Sequence, residues 1–177
     1  DLEVADFNGD GYLDVALLTT QGGGKVHFAI GDGNGNLRLD NTLVVYSSDH
    51  GDMLGDQNRW AKSLPFQASI GVPLAIAGPG VERGIRSDAL VSHIDLAATF
   101  LTAAGIQVPK EMDSRALQPV LTGKARAHRE HVRSGLNNWR AVWDGRHKLV
   151  RGFHPDRQHL LFDHSTDPWE NTDIAAQ

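Results

Sequence analysis

The chain has 177 residues, with 17 Lys and Arg against 22 Asp and Glu, which gives a formal net charge of −5. The length suits one domain of ordinary size, or one domain plus a small attachment, and a composition with 40% apolar and 22% charged residues argues against full disorder. No apolar run approaches the roughly 18 residues of a membrane-spanning helix, and the mild acidity gives no support for nucleic-acid binding. The absence of cysteine excludes disulfides, thiolate metal sites and a cysteine nucleophile. The chain begins at Asp1 and shows no signal peptide, so we read it as an internal piece of a longer protein.

The first 39 residues differ in composition from the rest, because they are rich in Gly, Asp and Asn. Two strand candidates, residues 12–18 and 25–30, flank the flexible turn at residues 22–24. We therefore predict a short β segment at the start of the chain.

Residues 6–14 place oxygen-bearing groups at every second position. Ca²⁺ takes six to eight oxygen ligands, and the spacing matches the first half of an EF-hand loop. Leu17 stands where that loop has its bidentate Glu, so the last carboxylate of the segment would have to close the site. A turn that binds no ion is the alternative. The predicted calcium ligands are Asp6, Asn8, Asp10, Tyr12 and Asp14.

From residue 41 onward, strand and helix patterns alternate, which favours an α/β fold. Residues 43–46 and 73–77 are continuous apolar runs, and each suits a strand covered on both faces, as in a parallel sheet. Residues 93–104 carry apolar side chains at helical spacing. Ser92 and Asp95 form a predicted capping box at the start of that helix.

The last fifty residues have antiparallel character. Strand candidates at residues 139–143 and 147–151 flank Asp144-Gly145, a strong hairpin turn signal. Residues 159–163 form a third strand candidate, and a short helix is predicted after Pro168.

Asp49 and His50 follow directly on the predicted strand at residues 43–46. In open α/β sheets, ligands bind beyond the carboxyl ends of the strands, where a carboxylate and an imidazole can both reach a metal ion. Two such ligands cannot hold a hard cation alone. A hydrogen-bonded Asp–His turn without metal is the alternative reading of this pair.

Residues 41–56 resemble the metal-binding segment of the sulfatase family, and the Asp-His pair is similar to its choline-sulfatase and phosphonate-hydrolase branch. The resemblance covers about residues 40–177, with several motifs in the family's order. These motifs are Trp60-Ala61-Lys62, Val72-Pro73-Leu74, Gly78-Pro79-Gly80, Ile94-Asp95-Leu96-Ala97, Met112-Asp113, Arg146-His147-Lys148-Leu149, Leu161-Phe162-Asp163 and Asp167-Pro168.

The resemblance implies the C-terminal part of an alkaline-phosphatase-like α/β sandwich, with a small antiparallel subdomain at about residues 126–177. It also implies an extracellular or periplasmic hydrolase of sulfate monoesters that acts on a sulfated small molecule or glycan. Asp49 and His50 would bind a divalent metal, with Ca²⁺ as the first choice and Mn²⁺ as the second. Lys62 would bind the sulfate oxygens, and Lys62 and His50 would be the catalytic residues. An exposed surface lysine is the alternative for Lys62.

Several departures from the family pattern limit this expectation. The family nucleophile is a formylglycine made from a Cys/Ser-x-Pro-x-Arg motif, and no such motif occurs here. That motif belongs to the family's N-terminal half, together with two further acidic metal ligands. We therefore expect this chain to be inactive alone, with the missing half on another chain as one option. Gln57 stands where the family often has His, and Gly71 where it often has Arg.

Residues 6–14 and 28–35 resemble the VCBS or FG-GAP repeat of calcium-binding β-propellers. The resemblances together divide the chain into a repeat at residues 1–39 and a sulfatase portion at residues 40–177. Two alternatives to the sulfatase function stay open: a calcium-dependent extracellular binding or adhesion module, and a phosphonate or phosphodiester hydrolase of the same superfamily.

Overall fold

The computed structural model describes residues 2–6, 11–19, 25–31, 34, 37–38 and 42–175. The chain divides into two compact units. The first unit comprises Asp1–Asp49 and Pro73–His128, and the second comprises His50–Val72 and Arg129–Gln177. None of the helices in the described part of the chain is long and apolar enough to cross a membrane.

The first unit contains an antiparallel sheet with the strand order β1-β2-β3-β5-β6, in which β4 also pairs with β3. The predicted strands at residues 12–18 and 25–30 are confirmed as β2 and β3. Because β3 pairs with β5, the N-terminal strands and the later ones share one sheet, and the division at residue 39 stays a prediction. The strands are β1 (Leu2–Ala5), β2 (Asp14–Thr19), β3 (Lys25–Gly31), β4 (Leu37–Arg38), β5 (Val44–Ser47) and β6 (Leu74–Ala77).

The prediction that β5 and β6 are covered on both faces, as in a parallel sheet, is wrong for this structure. The two strands pair antiparallel. Val45 is buried at 5% exposure, whereas Val44 and Tyr46 on the other face are 39% and 41% exposed. A continuous apolar run does not distinguish these cases, because apolar side chains are also common at exposed positions.

The helix predicted at residues 93–104 is confirmed as α2 (Ile94–Ala103). Its N-cap is His93 rather than the predicted Ser92. Half of the capping box is nevertheless present, because the Ser92 N–H donates to Asp95 Oδ2 at 3.0 Å. Asp95 is fully buried, and its other oxygen accepts the Arg115 N–H at 3.0 Å. A short helix, α3 (Gln118–Leu121), completes the helices of this unit's described residues.

The second unit is built on an antiparallel sheet with the order β7-β8-β9-β10. The predicted hairpin and third strand are confirmed with the predicted bounds. Asp144 Oδ1 accepts the Arg146 and His147 N–H groups at 2.8 and 2.6 Å, which fixes the turn. The strands are β7 (Val132–Leu136), β8 (Trp139–Trp143), β9 (His147–Arg151) and β10 (His159–Asp163). The core residues of the unit are Met53, Phe66, Trp139, Ala141, Val150, Leu160 and Phe162.

Two further segments of the second unit are short. A 3₁₀ turn spans Asp56–Asn58 and helix α1 spans Gln67–Ile70. The helix predicted after Pro168 is wrong, because that segment forms turns. Glu170 has a φ of 58°, in the left-handed region, so a right-handed helix cannot continue through it.

The end of β10 is joined to the β8–β9 hairpin by an ion pair. Arg146 Nη2 donates to Asp163 Oδ2 at 2.7 Å, and Ser165 Oγ donates to Asp163 Oδ1 at 2.6 Å. These hydrogen bonds, that from Arg146 above all, hold the pKa of Asp163 far below its ordinary value of 3.8.

We expect this pair to stabilise the second unit above about pH 4 and to lose its effect in acid. The unfolded Asp163 binds a proton near pH 3.8 while the folded carboxylate does not, so stability falls as the pH drops through that range. The variant Asp163→Asn should therefore be less stable than the wild type at pH 7, and the gap should narrow below pH 4. Thermal unfolding measured across this pH range tests the expectation. Asp156→Asn, which removes an exposed carboxylate of the same unit, controls for the change in net charge, and a gap that stays constant would contradict the prediction.

Candidate active site

His50 and Lys62 come together in the second unit although eleven residues separate them. Lys62 Nζ lies 2.6 Å from His50 Nε2. The other ring nitrogen, His50 Nδ1, lies 2.7 Å from the Gly51 carbonyl oxygen. The structure thus joins the two residues that the sequence predicts as catalytic.

The two contacts together define the tautomer of His50. A carbonyl oxygen only accepts hydrogen bonds, so Nδ1 carries the proton, and an ammonium only donates, so Nε2 presents its lone pair. A backbone carbonyl that fixes Nδ1–H is the usual arrangement for a metal-binding imidazole. His50 Nε2 can therefore accept a hydrogen bond from an ammonium or donate its lone pair to a metal ion.

Gly51 anchors the backbone next to His50. Its N–H donates to the Ser69 carbonyl at 2.8 Å. A Cβ at this position would overlap the Ala68 carbonyl oxygen and would lie 3.1 Å from the Gly71 oxygen. Only glycine permits the backbone at residue 51 to lie this close to helix α1. Gly51 therefore fixes the position of the backbone that carries the His50 side chain.

The loop that carries Lys62 has an unusual backbone. Lys62 lies between Ala61 and Ser63, whose φ angles are 65° and 76°. Hydrogen bonds from two core residues hold the strained backbone on either side of Lys62. The buried Met53 donates its N–H to Ala61 O at 2.9 Å, and Trp139 Nε1 donates to Ser63 O at 3.1 Å. The non-glycine residues of this loop with positive φ are Leu54, Gln57, Asn58, Ala61 and Ser63. Such strain, kept by well-ordered surroundings, is typical of functional loops.

Replacing Ala61 with glycine is expected to raise the free energy of unfolding by up to about 1 kcal/mol, because glycine adopts positive φ without the Cβ clash. Chemical denaturation followed by Trp fluorescence measures the change. Ala68→Gly is the matched control: Ala68 lies in α1, so the same substitution should lower stability by about 0.5 to 1 kcal/mol. Equal destabilisation by both substitutions would contradict the assignment of strain to Ala61.

The other predicted metal ligand, Asp49, is an exposed residue of the first unit. Its Oδ1 accepts a long hydrogen bond, 3.5 Å, from Ser48 Oγ. Its role as a metal ligand stays a prediction.

The predicted calcium loop is described in part. Asp6 Oδ2 accepts the Gly11 N–H at 2.9 Å, which is a contact between two described residues of the segment. Tyr12 is half exposed, and Asp14 is the first residue of β2. Asn8 and Asp10 lie outside the described residues, so the calcium site stays a prediction.

Gln57 has a structural role that sequence reasoning missed. Its Nε2 donates to the carbonyl oxygens of Trp169 and Glu170, both at 2.8 Å. Gln57 therefore connects the loop that follows His50 to the turn at Trp169 and Glu170. The departure from the family histidine was visible in the sequence, but nothing there indicated these backbone partners.

A buried charge network, also missed from the sequence, lies beside this turn. Lys148 Nζ is 2.5 Å from Glu170 Oε1, and each side chain is only 1% exposed. His164 Nε2 contacts the same oxygen at 2.7 Å, and the Gln67 N–H donates to Oε2 at 2.7 Å. Burial lowers the pKa of Lys148, while Glu170 opposes that shift. The sequence did contain one signal for the burial of Lys148. Side chains alternate between the two faces of a strand, so Lys148 in β9 lies on the same face as the core residue Val150.

The donor atoms of the described residues fit a divalent metal only in part. The lone pair of His50 Nε2 fits such an ion as one ligand. Within the described ranges, however, no three His, Cys, Asp or Glu side chains are grouped so that they could hold a metal. The described residues therefore fit a metal only as part of a larger ligand set.

Solved structures with the same fold define the class. One, described as "BT4656 in complex with its substrate D-Glucosamine-2-N, 6-O-disulfate", has a TM-score of 0.72 and 26% identity over 78% of this chain and 31% of its own. The phosphonate monoester hydrolase SpPMH from Silicibacter pomeroyi has a TM-score of 0.64 and 32% identity over 70% and 28%. The fold is that of the C-terminal part of an alkaline-phosphatase-like sulfatase, as the sequence predicted.

The sequence comparisons identify the family. Residues 55–177 match the model of "N-sulphoglucosamine sulphohydrolase, C-terminal", and the chain belongs to the sulfatase family. It is 34% identical to the choline-sulfatase of Rhizobium meliloti (strain 1021), over 77% of this chain and 28% of that protein. It is 30% identical to arylsulfatase K of Xenopus laevis, over 78% and 29%. The chain thus spans less than a third of the length of these two relatives.

Proposed function

We propose that this chain is part of a sulfate monoester hydrolase and supplies one side of its active site. The contact between Lys62 Nζ and His50 Nε2, 2.6 Å long, carries the proposal. It brings a cation suited to oxyanions next to an imidazole whose Nε2 presents its lone pair, in a chain of the sulfatase family.

The proposed roles follow from the chemistry of each side chain. Lys62 carries a compact positive charge with three donors, which suits the oxygens of a sulfate ester and the charge that develops on the leaving oxygen. A divalent metal, Ca²⁺ or Mn²⁺, would replace the Lys62 ammonium at His50 Nε2 and would take that nitrogen and the Asp49 carboxylate as two of its ligands. When bound, such an ion would supply Lewis-acid stabilisation of the ester oxygens. The Gly51 carbonyl keeps His50 in the required tautomer.

The attacking group would come from residues outside these 177, on the same or another polypeptide. Sulfate ester hydrolysis needs a nucleophile, and the sequence contains neither cysteine nor a Cys/Ser-x-Pro-x-Arg motif. We therefore expect no turnover by this chain alone.

A sulfated small molecule or a glycan is the proposed substrate, outside the cell or in the periplasm. The disulfated glucosamine named for BT4656 supports the substrate class. A relative from Drosophila melanogaster, described as "Extracellular sulfatase SULF-1 homolog" and 42% identical over 52% of this chain and 8% of its own length, supports the location.

The likeness to SpPMH favours a phosphonate monoester as the second candidate substrate. Both esters present a negatively charged tetrahedral group to Lys62, so this side of the site does not discriminate between them. Competition between 4-nitrophenyl sulfate and a phenylphosphonate monoester for binding to the chain should therefore give similar affinities, and a clear preference for the phosphonate would favour the second candidate.

We further propose that residues 1–39 are a calcium-binding repeat of the VCBS or FG-GAP kind, with Asp6, Asn8, Asp10, Tyr12 and Asp14 as ligands. The hydrogen bond from Gly11 N–H to Asp6 Oδ2 supports a carboxylate turned into the loop. In this view the repeat would give the protein a calcium-dependent binding module beside the hydrolase portion.

Titration of the chain with Mn²⁺, followed by NMR of the histidine side chains, tests the metal role. Two ligands give only weak binding, but paramagnetic Mn²⁺ should still broaden the His50 resonances, and Asp49→Ala should weaken that effect. Binding of 4-nitrophenyl sulfate should weaken tenfold or more in Lys62→Ala, since a hydrogen bond to a charged group contributes about 1.5 to 3 kcal/mol. Lys124→Ala, at another exposed lysine, is the control.

Unbroadened His50 signals, or equal ester binding by both lysine variants, would overturn the proposed site. Turnover of 4-nitrophenyl sulfate by the chain alone would overturn the proposal that the nucleophile lies elsewhere. In a calorimetric titration with Ca²⁺, binding to Asp10→Ala that equals binding to the wild type would overturn the proposed calcium loop.

A further inference from the structure

The second unit contains a cleft of about 260 Å³ that the proposed hydrolase function does not use. Its floor includes Met53 and Phe66, which are 0% and 7% exposed. Asp56, Gln67 and Trp169 contribute to the remaining lining, together with Gly71.

Trp169 is the unusual member of this lining. Its side chain is 69% exposed, yet its backbone is tightly held. Gln57 Nε2 fixes its carbonyl at 2.8 Å, and the next residue, Glu170, has a buried carboxylate and a φ of 58°. A large exposed aromatic side chain on a restrained, strained backbone is typical of a binding site, because little conformational freedom is lost when a ligand covers it.

The lining also indicates what kind of ligand fits. The described residues around the cleft include no Lys, Arg or His, so an anion would find no counter-charge and would be repelled by Asp56. An indole face, a carboxylate and an amide instead suit an uncharged ring that carries hydroxyl groups. Such a ring can place its C–H face on Trp169 and donate hydrogen bonds to Asp56 and Gln67. The volume lies below the roughly 300 Å³ at which pockets begin to enclose drug-sized ligands, so it suits a single ring.

We propose that this cleft binds one uncharged pyranose unit. The identity of the natural ligand rests on the proposed function. The ligand would be an unsulfated sugar unit of the glycan whose sulfate ester is the substrate. Lys62 does not line this cleft, so the proposed pyranose site and the proposed sulfate-binding site use different residues.

The test is an NMR titration of the full chain with methyl β-D-glucopyranoside and methyl N-acetyl-β-D-glucosaminide. We expect a saturable shift of the Trp169 indole N–H, and an affinity about tenfold lower in Trp169→Ala, the loss expected when an aromatic contact of about 1.4 kcal/mol is removed. The matched control is Trp60→Ala. Trp60 is similarly exposed, at 73%, but does not line the cleft, so this variant should bind like the wild type.

A second variant narrows the cleft without touching the tryptophan. A Cβ at Gly71 would meet the Gln67 side-chain nitrogen and lie 2.8 Å from the Gln67 carbonyl oxygen. Gly71→Ala should therefore also weaken pyranoside binding, provided that circular dichroism shows the native fold. Binding of equal strength in Trp169→Ala and the wild type, or no saturable response to either pyranoside, would overturn the proposal. Saturation by a proline-rich peptide without a response to pyranosides would overturn it too.

These outcomes are separate from those of the proposed hydrolase function. Pyranoside binding that depends on Trp169 supports the cleft even if Lys62→Ala leaves ester binding unchanged. Loss of ester binding in Lys62→Ala does not support the cleft if the pyranosides fail to bind.

Discussion

Replacing Glu170 with glutamine is expected to lower the free energy of unfolding by about 3 to 5 kcal/mol, the usual effect of breaking a buried ion pair from one side. Lys148 and Glu170 are each 1% exposed and 2.5 Å apart. The variant would leave the Lys148 ammonium in the interior without a counter-charge. Urea denaturation followed by Trp fluorescence measures the loss, since Trp139 lies in the core of the same unit.

The comparison variants separate charge from shape. Glu130→Gln makes the same change at an exposed position of the same unit and should alter stability by less than about 0.5 kcal/mol. The double variant Lys148→Met/Glu170→Gln should recover part of the loss, because it also removes the uncompensated ammonium. A loss below about 1 kcal/mol in Glu170→Gln would mean that the pair is not buried as described.

The deficit of Glu170→Gln should also depend on pH. Burial lowers the pKa of Lys148 from its ordinary 10.5, and Glu170 is the group that opposes this shift, so its removal should lower the pKa further. Between the folded and unfolded pKa values the unfolded chain binds more protons, and stability therefore rises with pH. We expect the deficit to be largest at neutral pH and to shrink as the pH approaches 10.5.

Gly51→Ala is expected to have the second largest effect, a loss on the order of 3 kcal/mol of stability. The added Cβ would overlap the Ala68 carbonyl oxygen, which is backbone and cannot rotate away. The backbone next to His50 would have to move, and with it the contact between His50 and Lys62. Denaturation measures the first effect, and the loss of Mn²⁺ broadening at His50 measures the second.

Gly135→Ala is the matched control for Gly51→Ala. A Cβ at Gly135 would also meet a neighbour closely, but that neighbour is Cδ of the Arg140 side chain at 2.6 Å, which can move. The loss there should stay near 1 kcal/mol. A small loss in Gly51→Ala, with the His50 signals unchanged, would show that the α1 segment yields more easily than its backbone contacts suggest.

The antiparallel part of the fold could be predicted closely, because its signals are local. Asp144 and Gly145 mark the hairpin turn, and the flanking strands have the predicted bounds. Strand β7, Val132–Leu136, was missed because its residues Arg133, Ser134 and Gly135 interrupt any apolar pattern. Strand β5 was predicted to be covered on both faces, but one of its faces is exposed. Burial depends on what packs against each face of a strand, and residue type alone does not carry that information.

The candidate site was predictable as a set of residues but not as an arrangement. Sequence motifs marked His50 and Lys62, yet their contact depends on left-handed backbone at Ala61 and Ser63. Neither residue type favours that conformation, so no local rule could predict it. The same holds for Gln57, whose partners lie more than a hundred residues away in the chain.

The distance in sequence between Lys148 and Glu170 has a consequence for synthesis of the protein. The hairpin that carries the lysine emerges from the ribosome before the glutamate does, and a lone ammonium resists transfer out of water. The core of this unit therefore cannot close around Lys148 until Glu170 has emerged. A nascent or truncated chain that ends before Glu170 would keep its interior open to chaperones and proteases.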